Sequence, residues 1–128
     1  MILSTNVSLF KDPEFSLVEE PVKIDVLTCA AVNANSYLIS RKERDSKVNT
    51  IMAHRIHSIM TVLAQTHYDC IVLGAFGCGA FGCDGPSVAS AFYDELKAGN
   101  CDCDHVEFAV YDRLGKLYST FRKMMKCE

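Results

Sequence analysis

The chain has 128 residues, 49% of them hydrophobic and 23% charged, with a formal net charge of −3. That length suits one ordinary domain and hides roughly two-thirds of the unfolded surface without staples. The mildly acidic balance argues against non-specific binding of duplex nucleic acid, which rests on clustered Lys and Arg; no apolar run approaches the roughly 18 residues that span a bilayer.

In chain order, Val7-Ser8-Leu9-Phe10 alternates weakly and reads as a short strand closed by Asp12-Pro13. After Pro21, apolar residues at Val22, Ile24 and Val26 alternate with Lys23 and Asp25, a period-2 pattern that predicts a strand running to Ala30. Glu19-Glu20 reads as a solvated turn. The polar stretch from Asn33 to Ser46 reads as a loop with at most one helical turn. From Asn49 to His67 the period changes to 3.6: Met52, Ile56, Ile59, Met60, Leu63 and Ala64 share a face, with Asn49 as N-cap. A β-branched run over 70–75 predicts a buried strand. Pro86 at a first helical position and Gly99 past the end predict a helix over 86–97. Val106 to Tyr111 reads as a strand, and Leu117 to Met125 as a closing helix whose cationic side (Arg122, Lys123, Lys126) faces solvent.

Alternation of strands and helices in the second half implies βαβ units. The expected architecture is one small α/β domain over 1–128, three-layered α/β/α, with a mainly parallel or mixed sheet of roughly four strands and three helices. Exposed edge strands invite pairing, so a homo-oligomer is an expected assembly. Seven cysteines is an odd number. The N-terminal Met1-Ile2-Leu3-Ser4-Thr5-Asn6 lacks the pattern of a secretion signal. Reduced thiols in a cytoplasmic or nucleocytoplasmic compartment are expected, rather than secretion.

The chemistry concentrates after the 70–75 strand, where Gly74, Gly77, Gly79 and Gly82 crowd a short loop ahead of a helix start. Such a loop brings bare backbone N–H groups close to a ligand and suits phosphate. Gly77-Cys78-Gly79-Ala80-Phe81-Gly82 matches the G-x-G-x-x-G dinucleotide fingerprint. Yet Cys83-Asp84-Gly85-Pro86 delays the helix, and Asp112, the acidic end of the next strand, comes later than the roughly 20 positions that fingerprint requires. An NAD-dependent enzyme is therefore the weakest of three readings. A Walker loop is excluded, since no Gly-Lys-Ser/Thr follows.

Leu73-Gly-Ala-Phe-Gly-Cys-Gly-Ala-Phe-Gly82, with Asp84, Pro86 and Val88-Ala89 behind it, resembles the diphosphate-binding loop of microbial-type poly(ADP-ribose) glycohydrolases, a branch of the macrodomain superfamily. Val7 to Asp12, Val26 to Asn33, Met52 to Ile56 and Val106 to Asp112 follow in the family's order. The resemblance implies a macrodomain-like fold. It also implies an ADP-ribose or related nucleotide ligand, free or on an ADP-ribosylated protein, held by Gly74, Ala75, Phe76, Gly77, Cys78, Gly79, Ala80, Phe81 and Gly82. No cofactor, metal, nucleic acid or membrane partner is implied. Two departures stand out. The segment after Gly82 is one residue longer than the family's usual Asn-Asp-Pro. The family's catalytic triple-glycine segment followed by Gln-Glu-Glu is absent from this sequence. Cleaving a ribosyl bond needs a carboxylate to protonate the leaving group. The expected function is thus ADP-ribose binding by a non-catalytic reader or sequestering module. The alternative is a glycohydrolase using a non-standard or partner-supplied carboxylate.

Other residues carry two readings each. Asn33 and Asn35 suit ribose hydroxyls or an adenine edge, or are turn residues. Tyr111 suits adenine stacking or plain packing, and Asp112 suits an adenine amino group or solvent. Phe76 and Phe81 flank the loop; the resemblance puts Phe81 beneath the ribose, against ordinary packing. Cys78 is a nucleophile if local positive potential lowers its pKa, and otherwise a small side chain in a tight loop. Arg55 suits a phosphate, a carboxylate or the surface. Cys101, Cys103 and His105 supply soft metal ligands in an uncommon spacing, with no evident fourth.

Overall fold

A computed structural model describes residues 1–37 and 39–126. The chain divides into two compact units, Met1–Ala30 and Ala31–Glu128.

The first unit is an antiparallel hairpin of β1 (Ile2–Lys11) and β2 (Leu17–Thr28). Val7 lies opposite Ile24 and Leu9 opposite Val22, so the β-branched and aliphatic positions meet across the ladder. The turn is held by Asp12, whose carboxylate accepts from the Ser16 N–H at 2.8 Å while its carbonyl accepts from Phe15 N–H at 3.0 Å. The strand expected from Val22 begins earlier, at Leu17, and Glu19-Glu20 are exposed strand residues rather than a turn. Pro21 does not stop the strand because it falls within a register shift between Leu9 and Lys11, where no ladder N–H is required.

The second unit carries the core. The helix α1 spans Arg41–Leu63, starting eight residues before the expected cap at Asn49. Ser40 is the N-cap: its hydroxyl oxygen accepts from Glu43 N–H, and its O–H donates to the Glu43 carboxylate at 2.7 Å. The first two turns are all polar and bury no apolar side chain, so their period is unreadable; the cap and the Arg41–Asp45 pair at 3.6 Å support them instead. The expected stripe is buried at Met52, Ile56, Ile59, Met60 and Leu63, and Val48 joins it; Ala64, expected on the same face, is the exposed C-cap where the helix has already ended. Next come β3 (Tyr68–Gly74), α2 (Gly85–Lys97), β4 (Cys103–Ala109) and α3 (Lys116–Met124).

β3 and β4 pair in parallel, Ile71 beside Val106 and Leu73 beside Phe108, with α2 as the crossover between them. This is the expected βαβ unit. Phe92 of α2 meets Phe108 edge-on with centroids 5.5 Å apart, and Phe108 meets Phe121 of α3 at the same separation. Such pairs contribute about 0.5–1.5 kcal/mol each beyond their burial. The fold is α/β; the described residues form four strands and three α-helices, as the sequence suggests, with a single 3-10 turn at Ala34–Ser36. Among the described residues the strands form two separate two-stranded ladders, not one sheet. Alternation marks a strand but does not say which strand it pairs with.

Candidate functional site

The glycine loop starts where β3 ends at Gly74 and runs to Asp84, the N-cap of α2. Its glycines do different work. Gly77 has φ +75°, and a Cβ there would lie 2.9 Å from Ala31 Cβ and 2.9 Å from Cys83 Sγ. Gly82 has φ +69°, and its Cβ would lie 2.6 Å from Asn35 Oδ1. These two let the loop press against the 31–35 segment, in a backbone region that L side chains resist. Gly79 is the opposite case: a Cβ there meets nothing within 4 Å.

The loop is pinned from one side. Ala34 N–H donates to the Phe81 carbonyl at 2.8 Å, and the Asn35 side-chain amide donates to the Ala80 carbonyl at 2.9 Å. Cys83 is buried, its thiol donating to the Val32 carbonyl at 3.2 Å. Internal turns tie Cys78 N–H to the Ala75 carbonyl, Gly82 N–H to Gly79 and Cys83 N–H to Gly77. Because a trans peptide sets its N–H opposite its C=O, the Phe81 N–H points away from Asn35. Among the described residues, no acceptor takes the N–H of Gly79, Ala80 or Phe81. All three residues are exposed.

The helix start contributes less than the sequence suggests. The Asp84 carboxylate already accepts from Ser87 N–H at 3.0 Å and Ser87 O–H at 2.6 Å, and Pro86 has no N–H. Asn49, in the body of α1, donates through its side-chain amide to Ser87 Oγ at 3.0 Å. The relay Asn49–Ser87–Asp84 thus ties α1 to the start of α2.

The remaining sequence candidates separate. Asn35 is a clamp on the loop. Asn33 is exposed, its carbonyl accepting from Ser36. Phe81 is 42% exposed and Tyr111, two residues past β4, is 87% exposed. Asp112 caps α3, accepting from Leu114 N–H at 3.0 Å and also from the N–H groups of Leu117 and Tyr118. Desolvation works to raise its pKa, but the donated backbone bonds together outweigh that and hold it below the usual value.

Cys78 is not activated. Burial first, then Cys83 and the Asp84 carboxylate, push its thiol up to about 12, so no thiolate forms near neutral pH. This corrects the nucleophile reading: unpaired N–H groups lie beside it in sequence, but burial dominates. No three metal-ligating groups converge among the described residues, and His105 pairs with Glu107 at 3.1 Å. No described helix is long and apolar enough to cross a membrane. Sequence reading missed Ala34, whose main chain holds the loop, and Asp84 as the cap; the Asp-x-x-Ser spacing before an apolar helix was the signal for the cap.

The site is thus an exposed glycine-rich loop between a parallel strand and the helix that follows it, with three backbone N–H groups that have no acceptor among the described residues. Comparison with protein-family models gives no match, and neither does comparison with curated proteins. Solved structures do match. The poly(ADP-ribose) glycohydrolase of Deinococcus radiodurans in complex with ADP-ribose aligns at TM-score 0.82 and 32% identity, covering 96% of this chain and 51% of that one. Its apo form aligns at 0.79 with 32% identity, covering 96% and 52%. The poly(ADP-ribose) glycohydrolase of Thermomonospora curvata aligns at 0.78 with 28% identity, covering 96% and 46%. This chain therefore has a poly(ADP-ribose) glycohydrolase-like fold, and it spans about half the length of the glycohydrolases it matches.

Proposed function

We propose that this chain binds ADP-ribose or a closely related ADP-ribosyl nucleotide, with the diphosphate on the loop from Gly74 to Gly82. The observation that carries the reading is the run of N–H groups at Gly79, Ala80 and Phe81, without internal acceptors among the described residues and beside open space at Gly79. Its support from relatives is that a structure with the same fold, 32% identical, was solved with ADP-ribose. Anionic oxygens on two or three such donors form charge-assisted hydrogen bonds, roughly twice as strong as neutral ones. Tyr111 is free to stack on the adenine and Asn33 to meet a ribose hydroxyl. Asn35 and Asp112 serve by holding the loop and α3.

On its own residues the chain is a reader or sequestering module, since Glu19 and Glu20 are exposed on the hairpin and no triple-glycine segment with Gln-Glu-Glu is in the sequence. A second reading is favoured by the match to glycohydrolases over half their length: a glycohydrolase that uses a non-standard or partner-supplied leaving-group carboxylate. Titration calorimetry with ADP-ribose, NAD and AMP tests binding; saturable heat with ADP-ribose and weaker heat with NAD supports it, and no heat at millimolar ADP-ribose overturns it. Incubation with poly(ADP-ribose) separates the readings: turnover by the purified chain rejects the reader.

A further inference from the structure

The thiols of Cys101 and Cys103 stand 3.1 Å apart, Sγ to Sγ, and both residues are half-buried. On a regular strand two such residues would lie side by side on one face. Here β4 starts only at Cys103, and the irregular backbone at Cys101-Asp102 turns the two sulfurs together. The segment is anchored: Tyr68 N–H donates to the Asp102 carbonyl at 3.1 Å, and the Asp102 carboxylate meets His67 Nδ1 at 2.9 Å. With His105 engaged by Glu107, what remains is a dithiol at the start of β4, while the glycine loop follows the end of β3.

We propose that Cys101 and Cys103 form a thiol–disulfide exchange site that accepts low-molecular-weight disulfides and closes to a Cys101–Cys103 bridge. The Cys103 thiol gives its proton to solvent, and its sulfur attacks one sulfur of the external disulfide. That S–S bond breaks and one thiolate leaves, taking up a proton. The Cys101 sulfur then attacks the Cys103 sulfur of the mixed disulfide, forming the bridge and expelling the second thiolate, which takes up the Cys101 proton. Two protein thiols are oxidised and one external disulfide is reduced to two thiols. Burial, then its hydrogen bond with Cys103, pushes the Cys101 thiol up to about 12, which leaves the first attack to Cys103; the Cys101 sulfur, 3.1 Å away, is then within reach of the mixed disulfide. A bridge across a single residue closes a small ring, and strained bridges are the readily reduced ones, so the site is reversible.

The test treats the reduced full chain under native conditions with oxidised glutathione, followed by peptide mass mapping. The expected result is loss of two hydrogens and of both alkylatable thiols in the peptide holding Cys101 and Cys103, restored by a thiol reductant. C101S, checked for folding by circular dichroism, is expected to stop at a glutathione adduct on Cys103. C70S is expected to bridge as the parent does, although exposed Cys70 lies beside His105 in the ladder. A stable adduct on the parent chain, or a bridge involving any other cysteine, overturns the proposal. The parent result decides it even if C101S fails to fold.

Discussion

Asn35 and Gly82 fit each other: the Asn35 Oδ1 sits 2.6 Å from where a Cβ on Gly82 would be, while its amide nitrogen donates to Ala80 O at 2.9 Å. The contact fixes the loop at Ala80 and Gly82, within the run whose N–H groups at 79–81 have no acceptor among the described residues. Gly82→Ala forces both a clash and a left-handed backbone. It is expected to cost about 1–2 kcal/mol or more in urea unfolding, and to weaken ADP-ribose binding with it.

Asn35→Ala removes the clamp without the clash. The Ala80 carbonyl loses its donor, worth about 0.5–1.5 kcal/mol. The expected signature is a small fall in melting temperature with faster amide hydrogen exchange at residues 79–82, and unchanged exchange in α1.

Asp84→Ala uncaps α2 and leaves Ser87, still accepting from Asn49, without the acceptor for its own N–H and O–H. A loss of about 1 kcal/mol is expected, read by denaturant unfolding. Asp84→Asn, which keeps an acceptor, should recover most of it.

His67 reports on pH. Its hydrogen bond with Asp102 first, then the Asp102 charge, raises its pKa from 6.5. A folded-state pKa above the unfolded one means that the pair stabilises fully below about pH 6.5 and that the effect fades as pH rises through the folded value. Because the pair is solvent-exposed the contribution is small. An NMR titration should find the His67 ring titrating above its ordinary value, and Asp102→Asn should return it towards that value.

Cys78 should be inert at neutral pH. Its thiol is pushed up to about 12 by burial, whereas Cys70 is exposed on β3. Iodoacetamide at pH 7 is expected to label Cys70 well before Cys78; rapid labelling of Cys78 would contradict the packing described for the loop.

Much of this was legible in the residues. The apolar stripe from Met52 to Leu63, the β-branched run of β3, and Pro86 with Gly99 around α2 each carry a local signal that the fold keeps. The N-terminal turns of α1 were not legible, because Arg41 to Lys47 show no apolar period and depend on Ser40. Tyr111 fell outside β4 because strand ends are set by pairing, which stops at Ala109. The loop's glycines were visible, but their division of labour was not. Which glycine touches the core and which faces open space depends on Ala31, Asn35 and Met52, residues distant in sequence from the loop, and on how the loop folds Cys83 back against Gly77.

The central claim is that the exposed amides of 79–81 hold a diphosphate, and Gly79→Val tests it most directly. Open space at Gly79 means the added side chain should leave the melting temperature close to the parent's while filling the position a phosphoryl group needs. Calorimetric titration with ADP-ribose is expected to give saturable binding for the parent chain and at least tenfold weaker binding for the variant, about 1.4 kcal/mol. Equal affinity in a folded variant would contradict the account.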